Sequence, residues 1–252
     1  MKKVNWGNTG VKVPAIVAGC MRLNSLDELG AVKYIEHAVE KGVNFFDHAD
    51  IYGKGECEML FGKAFKQTEL KREEVFIQSK CGIIPGVMFD QSKEHIITSV
   101  DGILKRLDME YLDALLLHRP DALVEPEEVA EAFEQLEKAG KVRYFGISNM
   151  KPMQIELLQK YIKQPLVVNQ LQVSAAHSSM ISNGVEVNML TNGAVDRDGS
   201  VLDYCRLKDI TIQAWSPFQY GMIEGVFLKN DAFAALNQKL AEIGEKYGVS
   251  DT

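Results

Sequence analysis

Short apolar runs alternate with longer amphipathic segments along this 252-residue chain, and the fold predicted is α/β, a TIM (β/α)8-type barrel. Three observations lead there. Each apolar run is bounded by turn residues and followed by a helical pattern. One run, YLDALLLHR (Tyr111 to Arg119), is so continuously apolar that both faces need cover, as in a parallel sheet. Polar residues also collect at the C-terminal ends of successive runs, namely Asp47, Lys80, His118, Ser148, Asn149, Gln170 and Trp215. In a barrel those ends share one rim, where the chemistry sits. A doubly wound sheet fits the alternation equally, but no Gly-x-Gly-x-x-Gly follows any predicted strand.

PAIVAG (Pro14 to Gly19) reads as the first strand. The helix after it carries Leu26, Leu29, Val32, Ile35 and Val39 at helical spacing and stops at Gly42. VNFFD is the second strand and ECEMLFGKAF a short helix. VFIQSK (Val75 to Lys80) is the third strand, and its helix shows Ile96, Ile97, Val100, Ile103, Leu104 and Leu107 on one face. After the fourth strand, Pro126 stands where a helix start tolerates proline, ahead of Val129, Phe133 and Leu136. VRYFGIS, LVVNQL and TIQAWSPF are strands five to seven, with helices near Met153–Tyr161 and Ser200–Lys208. Phe233, Leu236, Leu240, Ile243 and Tyr247 form the predicted buried stripe of the last helix.

Seven strands are counted where a closed barrel has eight. The expectation is therefore one barrel domain over residues 1–252 that is C-terminally incomplete, with strand 8 and the last helices missing. A net charge of −7 argues against nucleic-acid and anionic-membrane partners, which need a basic footprint. The four cysteines lack metal-ligand spacing and read as reduced thiols of a cytoplasmic protein. Neither a signal peptide nor a membrane span is supported, and oligomeric state is open.

The stretch NFFDHADIYG (Asn44 to Gly53) sets Asp47, His48, Asp50 and Tyr52 straight after a strand. Lys80 ends the neighbouring strand, and a buried ammonium there needs a carboxylate, for which Asp47 is the natural partner. A cation beside Tyr52 is expected to lower its pKa towards neutrality and make it a proton donor and acceptor. His118 supplies a neutral imidazole for a substrate oxygen.

FFDHADIYG, FIQSKCG, YLDALLLHRPD, GKVRYFGISN, VVNQLQVS and AWSPF occur in the order and spacing of the aldo-keto reductase superfamily. From about Val4 to Ser250 the chain resembles its bacterial NADP-dependent oxidoreductases. The resemblance implies an NAD(P)H-dependent carbonyl reductase whose catalytic tetrad is Asp47, Tyr52, Lys80 and His118. It implies that Ser148, Asn149 and Gln170 hold the nicotinamide amide and that Trp215 stacks on the ring. Ser216 and Phe218 would line the pyrophosphate path, and Gly19, Cys20 and Met21 would border the nicotinamide. The cofactor implied is NADP, with NAD not excluded, and the substrate is a small-molecule aldehyde or ketone.

His48 departs from the family's small hydroxyl residue, and a packed, hydrogen-bonded histidine is expected there. The family's loop gripping the adenosine 2′-phosphate has no match. Two other functions are weighed. A metal-dependent hydrolase would use Asp47, His48, Asp50 and His118 as ligands but leaves Lys80 and Tyr52 without work. A non-catalytic nucleotide-binding sensor leaves the tetrad without work. Asp50 is expected to be structural, bonding backbone amides or a neighbouring loop.

Overall fold

The computed structural model describes residues 1–252. The chain opens with an antiparallel hairpin, β1 (Lys3–Asn5) and β2 (Lys12–Pro14). Strand and helix then alternate: β3 (Ala18–Gly19), α1 (Glu28–Glu40), β4 (Phe45–Asp47), α2 (Glu56–Phe65) and β5 (Phe76–Cys81). A second small hairpin, β6 (Ile83–Ile84) with β7 (Met88–Phe89), precedes α3 (Lys93–Leu107), β8 (Leu112–Leu117), α4 (Pro126–Lys138) and β9 (Val142–Ser148). Next come α5 (Pro152–Tyr161), β10 (Leu166–Gln172), a single turn α6 (Ser179–Ser182), α7 (Val201–Leu207) and β11 (Thr211–Trp215). A last hairpin of β12 (Gln219–Tyr220) and β13 (Gly225–Val226) leads to α8 (Ala234–Tyr247).

The main sheet has seven strands in the order β3, β4, β5, β8, β9, β10, β11, with parallel pairing from β3 through to β9. Chain order equals sheet order, and successive strands are joined by helical crossovers. This is the connectivity of a (β/α)-barrel, not of a doubly wound sheet. All six residues of β8 are buried, as its apolar run requires.

Two compact units divide the chain: Met1–Asn169 with Tyr204–Thr211, and Gln170–Asp203 with Ile212–Thr252. In the first, Asp27 caps α1 by accepting from Gly30 N at 2.7 Å, and Pro126 begins α4 as expected. The β1–β2 hairpin contributes Trp6, whose indole meets the rings of Phe76, Tyr144 and Phe45 edge-on at 4.9, 5.4 and 6.1 Å. Val13, Ala114, Leu116, Val167 and Val168 complete that core. Gly7 follows at φ +55°, and a Cβ there would lie 2.9 Å from the Val167 carbonyl oxygen, so only glycine fits.

In the second unit the Tyr220 and Phe233 rings meet at 4.8 Å, and Asn237 Nδ2 donates to the Phe227 carbonyl at 2.8 Å.

Three predicted features change. Of PAIVAG only Ala18 and Gly19 join the main sheet, because Pro14 ends β2 and the chain bends at Ala15 and Ile16. Leu26 and Leu29 are exposed, since α1 buries a narrower stripe of Ala31, Val32 and Ile35. The α8 stripe is only partly buried, and Ile243 and Tyr247 are exposed. The buried position on α8 is Gly244, where the turn Val249–Ser250 folds back so closely that a Cβ would lie 2.9 Å from backbone oxygen. No helix is long and apolar enough to cross a membrane.

Candidate active site

Asp47 is the last residue of β4, Lys80 the penultimate residue of β5, and His118 follows β8. Parallel register sets these strand ends side by side, with Asp47 directly across from Gln78. Tyr52 arrives from the following loop, its N–H donating to the Ala49 carbonyl, and Gly53, Lys54 and Gly55 continue in left-handed conformation at φ +55°, +55° and +90°. That run turns the chain sharply into α2 and leaves the phenol over the strand ends.

The lysine is the hub. Its ammonium, with no solvent exposure, donates to Asp47 Oδ2 at 2.8 Å, the His48 carbonyl at 2.6 Å and Tyr52 Oη at 3.1 Å, which uses all three protons. Burial alone would push the Lys80 pKa down, but Asp47 and Tyr52 outweigh it and the net shift is upward. Gln78 Nε2 donates to the other Asp47 oxygen at 2.6 Å.

The Tyr52 ring stands edge-on to the His118 imidazole at 6.0 Å. Burial lowers the His118 pKa to about 3, helped by the charges of Lys80 and Arg119, so the imidazole is neutral as expected. The expectation for Tyr52 is overturned. Burial raises its pKa above the ordinary value, and the downward pull of Lys80 does not compensate, so the phenol is protonated.

His48 is packed but not hydrogen-bonded, contrary to expectation. It is fully buried, its ring stands edge-on to Phe61 at 4.6 Å, and neither nitrogen has a partner. Desolvation, with Lys80 adding to it, lowers its pKa to about 3. Asp50 is only partly satisfied: its N–H donates to the Lys80 carbonyl at 3.0 Å, while Oδ1 is buried without a partner. Burial, reinforced by Glu58, raises the Asp50 pKa to about 7. No group of three or more His, Cys, Asp or Glu side chains is arranged to hold a metal ion.

A partly buried ion pair that sequence reasoning missed lies behind this layer. Glu58 of α2 accepts from Arg106 Nε of α3 at 2.7 Å and from Ser79 Oγ of β5 at 2.8 Å. Burial still leaves the Glu58 pKa raised. Gln78 was missed as well. The available signals were a polar Gln-Ser pair inside an otherwise apolar strand, and a glutamate sharing a helix face with Phe61 and Gly62.

The residues expected to border a cofactor fall in both units. In the first, Ser148 ends β9, and Asn149, at φ +58°, donates from Nδ2 to Ser148 Oγ at 2.7 Å. Gly19 ends β3, with Cys20 buried and Met21 exposed beyond it. The Cys20 N–H donates to the Asp47 carbonyl at 2.9 Å, and burial raises its thiol pKa well above the ordinary value. In the second, Gln170 Nε2 donates to Gln213 Oε1 at 2.5 Å. Trp215 ends β11, followed by Ser216 at φ +50° and an exposed Phe218.

The sequence model of the Aldo/keto reductase family matches residues 15–252. An uncharacterized oxidoreductase, YcsN of Bacillus subtilis, is 39% identical over 219 residues, which is 82% of this chain and 68% of the relative. Oxidoreductase YdhF of Escherichia coli is 35% identical over 222 residues, covering 85% and 68%. The crystal structure of the thermostable aldo-keto reductase Tm1743 superposes with a TM-score of 0.76 at 25% identity, covering all of this chain and 82% of that one.

Proposed function

The chain belongs to the aldo/keto reductase family, with oxidoreductases among its relatives, and on that premise we propose that it reduces an aldehyde or ketone to an alcohol with NAD(P)H. The observation that carries the reading is the single ammonium of Lys80 bonded at once to Asp47 and Tyr52. Tyr52, a protonated phenol, donates its proton to the carbonyl oxygen as negative charge develops there. Lys80 stays charged against Asp47 and stabilises the phenolate left behind. His118, neutral, offers an N–H to the same oxygen and orients the carbonyl. Burial of these groups strengthens each interaction, because little water competes for them.

The donor set fits a nicotinamide. A hydroxyl and a carboxamide side by side, Ser148 and Asn149, complement the donor and acceptor of the nicotinamide amide. Gly19, Cys20 and Met21 are assigned to its border. On sequence grounds the assignment extends to Gln170 for the amide, Trp215 for stacking, and Ser216 and Phe218 for the pyrophosphate. When bound, the reduced nicotinamide supplies the hydride.

The test is Tyr52→Phe, assayed by NADPH and NADH oxidation against a panel of reactive carbonyls. Turnover is expected to drop by roughly 10²- to 10⁴-fold, with NADPH binding retained. Wild-type turnover in the variant would refute the reading.

A further inference from the structure

Asp47 accepts from Lys80 of the tetrad and also from a donor outside it. Lys80 Nζ takes Oδ2, and the Gln78 carboxamide takes Oδ1. Gln78 is wholly buried. It stands two residues before Lys80 on β5, so both side chains leave the same face of the strand. It also pairs in register with Asp47 on β4.

The geometry points to Gln78 as a positioning residue: its carboxamide locks the Asp47 carboxylate, which in turn aims the Lys80 ammonium at Tyr52. This goes beyond the proposed function and rests on its reading of Tyr52 as proton donor. The terminal torsion of an aspartate is soft and roughly two-fold, so a carboxylate held at one oxygen swings and carries its partner with it. A donor on the second oxygen stops that swing. All three Lys80 protons are committed, so any displacement of Asp47 alters the bond to Tyr52. A neutral donor suits this position. A second cation would compete with Lys80 for Asp47, and a second carboxylate would repel it.

Gln78→Met keeps length and removes the donor. The expected result is a kcat lower by about ten- to a hundredfold, in line with displaced catalytic groups, and an unchanged KM for NADPH. The decisive readout is the ionisation of Tyr52, taken as phenolate absorbance relative to the matching Tyr52→Phe protein. With Lys80 less well aimed, that ionisation moves up by about one pH unit. An ionisation at the wild-type pH overturns the proposal, whatever happens to kcat, because a purely structural Gln78 would change only the amount of folded protein.

Gln78→Glu gives a second arm should the methionine variant not fold. Its carboxyl donates to Asp47 only while protonated. Activity is therefore near wild type at low pH and falls as the shared proton is lost, a step the wild type lacks. A wild-type pH profile in this variant also overturns the proposal. If wild-type protein turns over no carbonyl, the proposed function fails, while the Tyr52 titration still decides the role of Gln78.

Discussion

Replacing His48 with leucine is expected to remove a pH dependence of stability that the wild type carries. The imidazole is fully buried with both nitrogens unpaired, and its pKa falls from 6.5 to about 3. Between those values the unfolded chain binds the proton and the folded chain does not. Stability therefore rises with pH across that window and is lost as pH falls, by about 1.4 kcal/mol per pH unit. From about pH 7 to about pH 5, His48 removes about 2 kcal/mol, since its unfolded form starts to charge near the top of that span. Leucine does not titrate. The difference in unfolding free energy, variant minus wild type, is thus expected to be about 2 kcal/mol more favourable at about pH 5 than at about pH 7. Urea unfolding at the two pH values measures it, and His118 cancels because it is present in both proteins. An equal difference at both pH values would mean that His48 takes up its proton in the folded state, and the account of its burial would fall.

Arg106→Leu strands Glu58 in the interior with Ser79 as its remaining bonded partner of the two described. The expected loss is about 3–5 kcal/mol in urea unfolding, and adding Glu58→Gln restores most of it; a loss within error in the single variant would refute the ion pair's importance. Asp50→Asn acts with the opposite pH sense to His48. The folded pKa of Asp50 lies at about 7 against an ordinary 3.8, so the wild type is favoured below the ordinary value and loses stability as pH rises through about 7. The amide is expected to be neutral at about pH 4 and to stabilise by at most about 4 kcal/mol at about pH 8, read from the same unfolding curves.

Asp47, Lys80 and His118 were legible because a strand end is visible in sequence and parallel strands bring their ends together. Tyr52 was legible as their neighbour, but its ionisation was not. The sign depends on whether burial or the Lys80 charge prevails, and burial depth is a property of the packed chain. Gln78 hid inside an apolar run, and Glu58 and Arg106 hid among ordinary charged helix residues. Only their long-range meeting makes them partners. The β6–β7 hairpin went unseen because two-residue strands leave no periodicity. The α8 stripe misled for the opposite reason, since helical spacing of apolar residues does not reveal how much of a face is covered.

The Trp6 hairpin has a kinetic consequence. An isolated two-stranded hairpin is marginal in water, and this one is held by Phe76, Tyr144 and Val167. It is also tied to Thr211, whose Oγ1 accepts from Gly7 N across a separation of 204 residues. During synthesis the hairpin therefore emerges long before its anchors, and its docking is a late, non-local event of the kind that slows folding. A chain stalled before Thr211 would leave this hairpin packed against its aromatic partners but without the bond that latches Gly7.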